Sequence, residues 1–319
     1  MIPSFNLPHS SFPPIYHTLL FPFPQKMSYG LKVWTSPDEA EFDIVFVHGL
    51  AGHREQTWTK NEPVTGKQIL WPRDLLASEI RPSRIMGFGY DSAIVHRDRA
   101  QVTQGSLLTF ARDLCTSLKT KRSDTGTSEC PILLVAHSLG GLVCAQAVVL
   151  GDRNAIGDNV EVVSSSVKGI IFLGTPFGGS DKTKWADLVR GILNIMRQTD
   201  QTTLKSLAED SDELKALETA FGEVMRKRSR GPNKIECVFF YEELDTHRLR
   251  IVKEGSASMP GIGETIPLRS DHINICKFAT KDEPQYQRVR DKIRQLLSDD
   301  GNTPRDQVSC VLFWFFFSP

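Results

Sequence analysis

The residues best placed to do chemistry lie in Ala136-His137-Ser138-Leu139-Gly140-Gly141. An apolar run, Pro131 to Ala136, precedes them, and a helical pattern from Gly141 to Leu150 follows. A serine hydroxyl is a weak nucleophile. It becomes useful when it is raised on a sharp turn, next to a base and near hydrogen-bond donors that can receive a developing oxyanion. Strand, small-x-Ser-x-Gly, helix is the nucleophile-elbow pattern, here with alanine in the first small position. The turn forces strained dihedrals and close chain contact, so Ala136 and Gly140 must be small, and Gly141 lets the helix start close to the sheet. An ordinary strand–helix turn with a serine cap would read the same from this hexapeptide alone.

The rest of the chain supplies the parts that an elbow needs. "VFVHGLAGH" is a strand followed by His48-Gly49-Leu50. The backbone N–H groups of Leu50 and Leu139 are therefore the expected oxyanion donors, with His48 a structural loop histidine. The base should come late, after the last strand, which favours His272 over His247, which lies close to the acid candidates. His137 adjoins the serine and is expected to point away from it. The acid should leave the end of a strand between serine and histidine. "CVFFYEELD" offers Glu242, Glu243 and Asp245, with Asp271 a further candidate. Glu242 is preferred because it follows the strand directly. The catalytic expectation is thus Ser138, His272 and Glu242, in nucleophile–acid–base chain order.

These residues need a frame, and the pattern supplies one. Continuous apolar strands are predicted over 42–49, 84–91, 131–138, 167–176 and 235–244, with a weaker one over 248–257 and an antiparallel edge at 31–37. Helices are predicted over 71–80, 106–119, 141–150 and 285–298. Strands apolar on both faces and separated by helices predict a mostly parallel sheet covered on both sides. The stretch from Ser180 to Lys234 breaks the alternation with two helical patterns. In it Trp185, Leu188, Val189, Ile192, Leu193 and Met196 share a face. An insertion over 181–233 is expected to form a helical cap.

Charge and composition exclude several classes. Lys plus Arg and Asp plus Glu number 38 each, so no overall field holds nucleic acid. The local basic run "MRKRSRGP" reads as the solvated end of a helix. Six cysteines form no CxxC and eight histidines no HxxxH, so neither a metal site nor a cofactor is expected, and the thiols are expected to be reduced and buried. Residues 1–27 are rich in proline, lack a basic start before Lys26, and read as a disordered extension rather than a secretory signal. The tail, 299–319, ends in "VSCVLFWFFFSP", about half the roughly 20 residues of a membrane span. An interfacial anchor, an added strand and a mispredicted last exon all fit it, and the last is preferred.

The segments "VFVHGLAGHREQTWT", "WPRDLLA", "GYDS", "LLVAHSLGGLV", "IIFLGTPFGGSD", "FFYEE" and "RSDHINICKF" resemble those of lipase-like serine esterases of the α/β-hydrolase fold. The resemblance includes a branch linked to phospholipid remodelling at mitochondria–ER contacts, and the hydrolase domains at the N-terminus of fungal NACHT immune receptors. It spans about residues 40–280. It implies one α/β-hydrolase domain over 28–298, a lipid or phospholipid ester as substrate, and an intracellular location at mitochondrial or endoplasmic reticulum membranes. Peripheral membrane contact and a protein partner on the cap are also implied. The alternative it carries is a signalling or scaffold module with weak catalysis. One departure is Phe177, where relatives usually have histidine after "GTP"; cap or substrate contacts there are expected to differ.

Overall fold

The computed structural model describes residues 29–50, 52–90, 104–177, 211–231, 233–246, 252 and 254–298. Nine strands are present among them. They are β1 (Gly30–Thr35), β2 (Phe42–Val47), β3 (Thr59–Asn61), β4 (Gln68–Leu70), β5 (Ser83–Gly89), β6 (Ile132–His137), β7 (Val167–Leu173), β8 (Glu236–Glu242) and β9 (Glu264–Leu268). The helices are α1 (Trp71–Asp74), α2 (Gln104–Asp124), α3 (Leu139–Arg153), α4 (Asn159–Ser166), α5 (Ser211–Lys227), α6 (Glu254–Ala257) and α7 (Pro284–Ser298). Strands β3 and β4 form a small hairpin. The other seven make one sheet in the order β1-β5-β2-β6-β7-β8-β9. Only β1 runs antiparallel, against β5, as its position before the first parallel strand predicts. This is the α/β-hydrolase fold expected from the sequence.

Alternation along the strands builds two cores. Ile44 and Phe46 point to one face of β2, and Val45 and Val47 to the other. On the first face they join Leu133, Val135, Ile171, Leu173, Val238 and Phe240. Helix α7 closes that face with Tyr286, Val289, Ile293 and Leu297, spaced for a single helix face. On the second face α2, α3, α4 and α5 cover Met86, Leu134, Ile170, Phe172 and Phe239. Register lines up the carboxyl ends: Val47 lies beside Ala136, His137 beside Leu173, and Leu173 beside Phe240. The loops after β2, β6, β7 and β8 therefore leave at one edge, where open parallel sheets place their ligands.

Two expectations are corrected. The described residues of 248–257, Val252 and 254–257, do not supply the last strand. That strand is β9, "ETIPL", which the proline next to its last residue hides from a sequence reading. Pro267 is tolerated because β9 is a sheet edge. Val252 and Ala257 from the predicted segment are instead buried plugs, and Glu254–Ala257 is α6. The helix predicted over 71–80 ends at Asp74, whose carboxylate turns back to accept from the Leu70 N–H at 2.8 Å, and a 3-10 turn follows. The second helical pattern of the 181–233 stretch is α5. Leu217, Phe221, Val224 and Met225 are buried in the second core against α3 and the sheet. The first pattern, Trp185 to Met196, lies outside the described residues. So do 1–27 and 299–319.

The far end of the sheet holds a buried charge cluster. The Asp43 carboxylate on β2 accepts from Arg84 of β5 at 2.8 and 2.9 Å and from Arg122 of α2 at 2.7 Å. All three side chains are almost wholly buried. Thr125 and Thr127 accept further Arg84 donors, and the Ser128 carbonyl accepts from Arg122. Breaking such a group leaves uncompensated buried charge, which costs far more than its net contribution. Asp43→Ala is expected to lose about 3–5 kcal/mol in denaturant unfolding. A loss below about 1 kcal/mol would show that the arginines find water.

Candidate active site

Strand β6 ends at His137, and the chain turns on Ser138 with φ 52° and ψ −127°. Among the described residues Ser138 is the one non-glycine with positive φ. Such a conformation costs of order 1–3 kcal/mol and persists only when its surroundings impose it. Here they do. A Cβ on Gly140 would overlap the carbonyl oxygens of Val47 and His48, and one on Gly141 would overlap the Thr175 side chain. A Cβ on Gly49 would lie 2.7 Å from the Ser138 Cβ. Helix α3 therefore starts hard against the ends of β2 and β7. The Ser138 N–H donates to the Leu173 carbonyl at 3.0 Å, which fixes the turn to the next strand.

The structure brings together three of the residues singled out in sequence. His272 Nε2 lies 3.1 Å from Ser138 Oγ, and His272 Nδ1 lies 3.0 Å from Glu242 Oε2. A carboxylate only accepts, so Nδ1 carries the proton and Nε2 is free to accept from the hydroxyl. Exposure is 2% for Ser138, 3% for His272 and 0% for Glu242. The second Glu242 oxygen accepts from the Val252 N–H, so both carboxylate oxygens are engaged. The His272 N–H donates to Thr246 Oγ1 at 2.9 Å. Such a line of groups can pass a proton from hydroxyl to imidazole and steady the imidazolium that results.

The competing acids lie elsewhere. Glu243 and Asp245 are exposed. Asp271 Oδ1 accepts from the Ile273 and Asn274 N–H groups at 2.9 Å each, so it shapes the His272 loop. His247 lies outside the described residues. Leu139 follows Ser138 directly, and Leu50 follows Gly49, on which a Cβ would lie 2.7 Å from the Ser138 Cβ. Leu139 is the first residue of α3, where an N–H has no intrahelical acceptor. Among the described residues neither amide donates a hydrogen bond.

Two histidines do structural work. His48 Nδ1 donates to the Gly49 carbonyl at 2.9 Å, and its ring stacks on Tyr90 at 4.5 Å. The Tyr90 hydroxyl donates to the His48 carbonyl at 2.7 Å. His137 Nε2 donates to the His272 carbonyl at 2.9 Å. Burial pushes His48 down to about 4, and burial, with repulsion from His272, pushes His137 down to about 3. Sequence reasoning missed Thr246 and Val252 as partners. Their contacts to His272 and Glu242 span 26 and 10 residues and leave no motif. Phe177 is buried among Phe172, Phe221 and Phe239, so the departure from histidine there is absorbed by the core.

Elbow, strand order and sheet edge define an α/β-hydrolase fold. The chain is 27% identical over 275 residues to Protein SERAC1 of Bos taurus and to Protein SERAC1 of Homo sapiens, over 81% of its own length. It spans 39% of the length of those relatives. No family model matches the chain. Similar solved structures include Est2, a thermophilic esterase of Thermogutta terrifontis (16% identity, TM-score 0.49, 87% of this chain and 90% of that one). Another is a thermostable carboxyl esterase of Bacillus coagulans (13%, 0.46, 86% and 95%). The fold assignment rests on strand order and the elbow, not on these likenesses.

His48, which is buried, and His137, which is half-buried, make stability depend on pH. Their folded values lie below the ordinary value of 6.5, so the unfolded chain binds more protons in that window. Stability is therefore full above about pH 6.5 and falls as pH drops toward 4, by up to about 1.4 kcal/mol per unit for each histidine. Urea unfolding at about pH 5 is expected to give roughly 2–4 kcal/mol less stability than at about pH 7. The difference should shrink in His48→Gln. Equal stability at the two pH values would contradict neutral burial.

Proposed function

We propose that this chain is a serine hydrolase that cleaves or transfers an acyl ester through an acyl-Ser138 intermediate. The observation that carries the proposal is the Ser138–His272–Glu242 line, with separations of 3.1 and 3.0 Å, mounted on a strained elbow. Ser138 Oγ attacks the ester carbonyl carbon while His272 Nε2 takes its proton. The negative charge gathers on the carbonyl oxygen, toward which the N–H groups of Leu50 and Leu139 are directed in this reading. The tetrahedral species collapses, the C–O bond breaks, and His272 returns the proton to the leaving alcohol. A water, or an acceptor alcohol, then attacks the acyl-serine by the same route in reverse. Glu242 holds the His272 tautomer and stabilises its cation throughout.

The substrate we infer is a lipid or phospholipid ester, handled at a membrane surface of mitochondria or the endoplasmic reticulum. The motif resemblance and the likeness to Protein SERAC1 support that reading. The contact proposed is peripheral; among the described residues no helix is long and apolar enough to cross a membrane.

Ser138→Ala is expected to lower kcat toward simple esters by on the order of 10⁴–10⁶, with melting near that of the parent. Glu242→Gln should lower it by roughly 10²–10⁴, and Glu243→Gln or Asp245→Asn by less than about tenfold. Steady-state turnover of p-nitrophenyl esters by the purified variants checks both. Turnover retained in Ser138→Ala would remove the mechanism, whereas a larger loss in Asp245→Asn would move only the acid. For the substrate class, kcat/KM should rise along an acyl series by up to about fourfold per added CH₂, the equivalent of about 0.8 kcal/mol of apolar burial. A flat or falling series beyond acetyl would contradict a lipid acyl group.

A further inference from the structure

We infer that His137 is a positioning residue that sets the height of the base by holding the main chain of His272. The inference rests on the function proposed above. His137 adjoins Ser138 in sequence, but its ring turns from the hydroxyl toward the base loop. There Nε2 donates to the His272 carbonyl at 2.9 Å, with the two rings 5.1 Å apart and tilted by 43°. On the other side of the same residue, the His272 N–H donates to Thr246 Oγ1 at 2.9 Å. Both peptide groups of His272 are thus tied by side chains from other elements.

That tie has work to do because the base stands on a loop. Residues 269–277 form neither helix nor strand. Their main chain is shaped by turn bonds such as Ile275 N–H to the Asp271 carbonyl at 2.9 Å, and is tied outward by Leu244 N–H to the Ser270 carbonyl at 3.1 Å. Neither bond holds the N–H or the carbonyl of His272 itself. Catalytic groups must be held to within a fraction of an ångström, and partners behind them do the holding. His137 also meets the loop after β2. A Cβ on Gly49 would lie 3.3 Å from His137 Nδ1 and 3.0 Å from the His137 carbonyl oxygen. One side chain therefore joins three parts: the turn that carries Ser138, the loop that leads to Leu50, and the peptide that carries the base. The donor is available throughout the working range, because the burial that pushes His137 down to about 3 keeps it neutral. A second cation beside a His272 imidazolium is avoided by the same means.

The test compares His137→Leu, which removes the donor, with His137→Gln, which keeps an N–H at similar reach. Three quantities are read: kcat and KM for a short p-nitrophenyl ester, folded fraction by melting, and the downfield proton resonance of His272 Nδ1–H. Misplacement by about 1 Å can cost on the order of 10² in rate. His137→Leu is accordingly expected to lower kcat by about 10–100-fold with KM within about twofold, and to shift or broaden the His272 resonance. His137→Gln should stay within about fivefold of the parent with the resonance kept. Unchanged kcat in the leucine variant would overturn the inference. So would equal damage in the two variants, which would assign the effect to shape. If His137→Leu does not fold, the glutamine variant still decides, since a loss there comparable to about 10² has no place in the proposal. A parent enzyme without ester turnover would remove the proposed function alone. The resonance would still report whether His137 holds the base.

Discussion

The site depends on one close approach: the start of α3 lies against the carboxyl ends of β2 and β7, with nothing larger than hydrogen at Gly140 and Gly141. Everything else at the sheet edge follows from it. Ser138 can hold φ 52° only because the strand before it, the helix after it and the bond to the Leu173 carbonyl leave no other path. The cost of order 1–3 kcal/mol is met by two cores that bury both faces of the sheet. The strain lifts the serine above the strands, and the helix that starts there leaves the Leu139 amide without an intrahelical acceptor.

The polar groups of the Ser138–His272–Glu242 line are arranged so that burial does not strand them. Glu242 is fully buried and ionisable, a costly combination unless its oxygens are engaged. One accepts from His272 and the other from the Val252 amide. His272 in turn has both ring nitrogens and both peptide groups engaged, through Glu242, Ser138, Thr246 and His137. A network in which each member is satisfied is rigid, and rigidity is what the proposed base, on an irregular loop, needs. The contrast with Glu243 and Asp245 is instructive. They stand within three residues of Glu242 yet face solvent. Only the residue that ends β8 in register with Leu268 is turned inward.

The parallel sheet and the elbow were legible in the sequence because their signals are local. "FDIVFV", "ILLVAH" and "VKGIIFL" are apolar on both faces, as strands covered by helices must be. The order Ser138, Glu242, His272 was legible because strand ends and the late loop bracket few ionisable groups. Other features were hidden for physical reasons. Strand β9 carries a proline that only an edge position tolerates. Helix α5 has the amphipathic pattern of a cap helix and of a core helix alike, and what its apolar face meets is a tertiary fact. The tie from His137 to the His272 carbonyl spans 135 residues and uses a backbone acceptor, which every residue possesses.

The central claim is that Ser138 is an activated nucleophile. Treating the folded chain with a fluorophosphonate probe and mapping the adduct by peptide mass spectrometry tests it most directly. Such probes react with serines that a neighbouring base activates. The result expected is a single adduct on Ser138, absent from His272→Ala although that variant remains folded. A folded parent chain that carries no adduct at Ser138, or one labelled equally well without His272, would contradict the account.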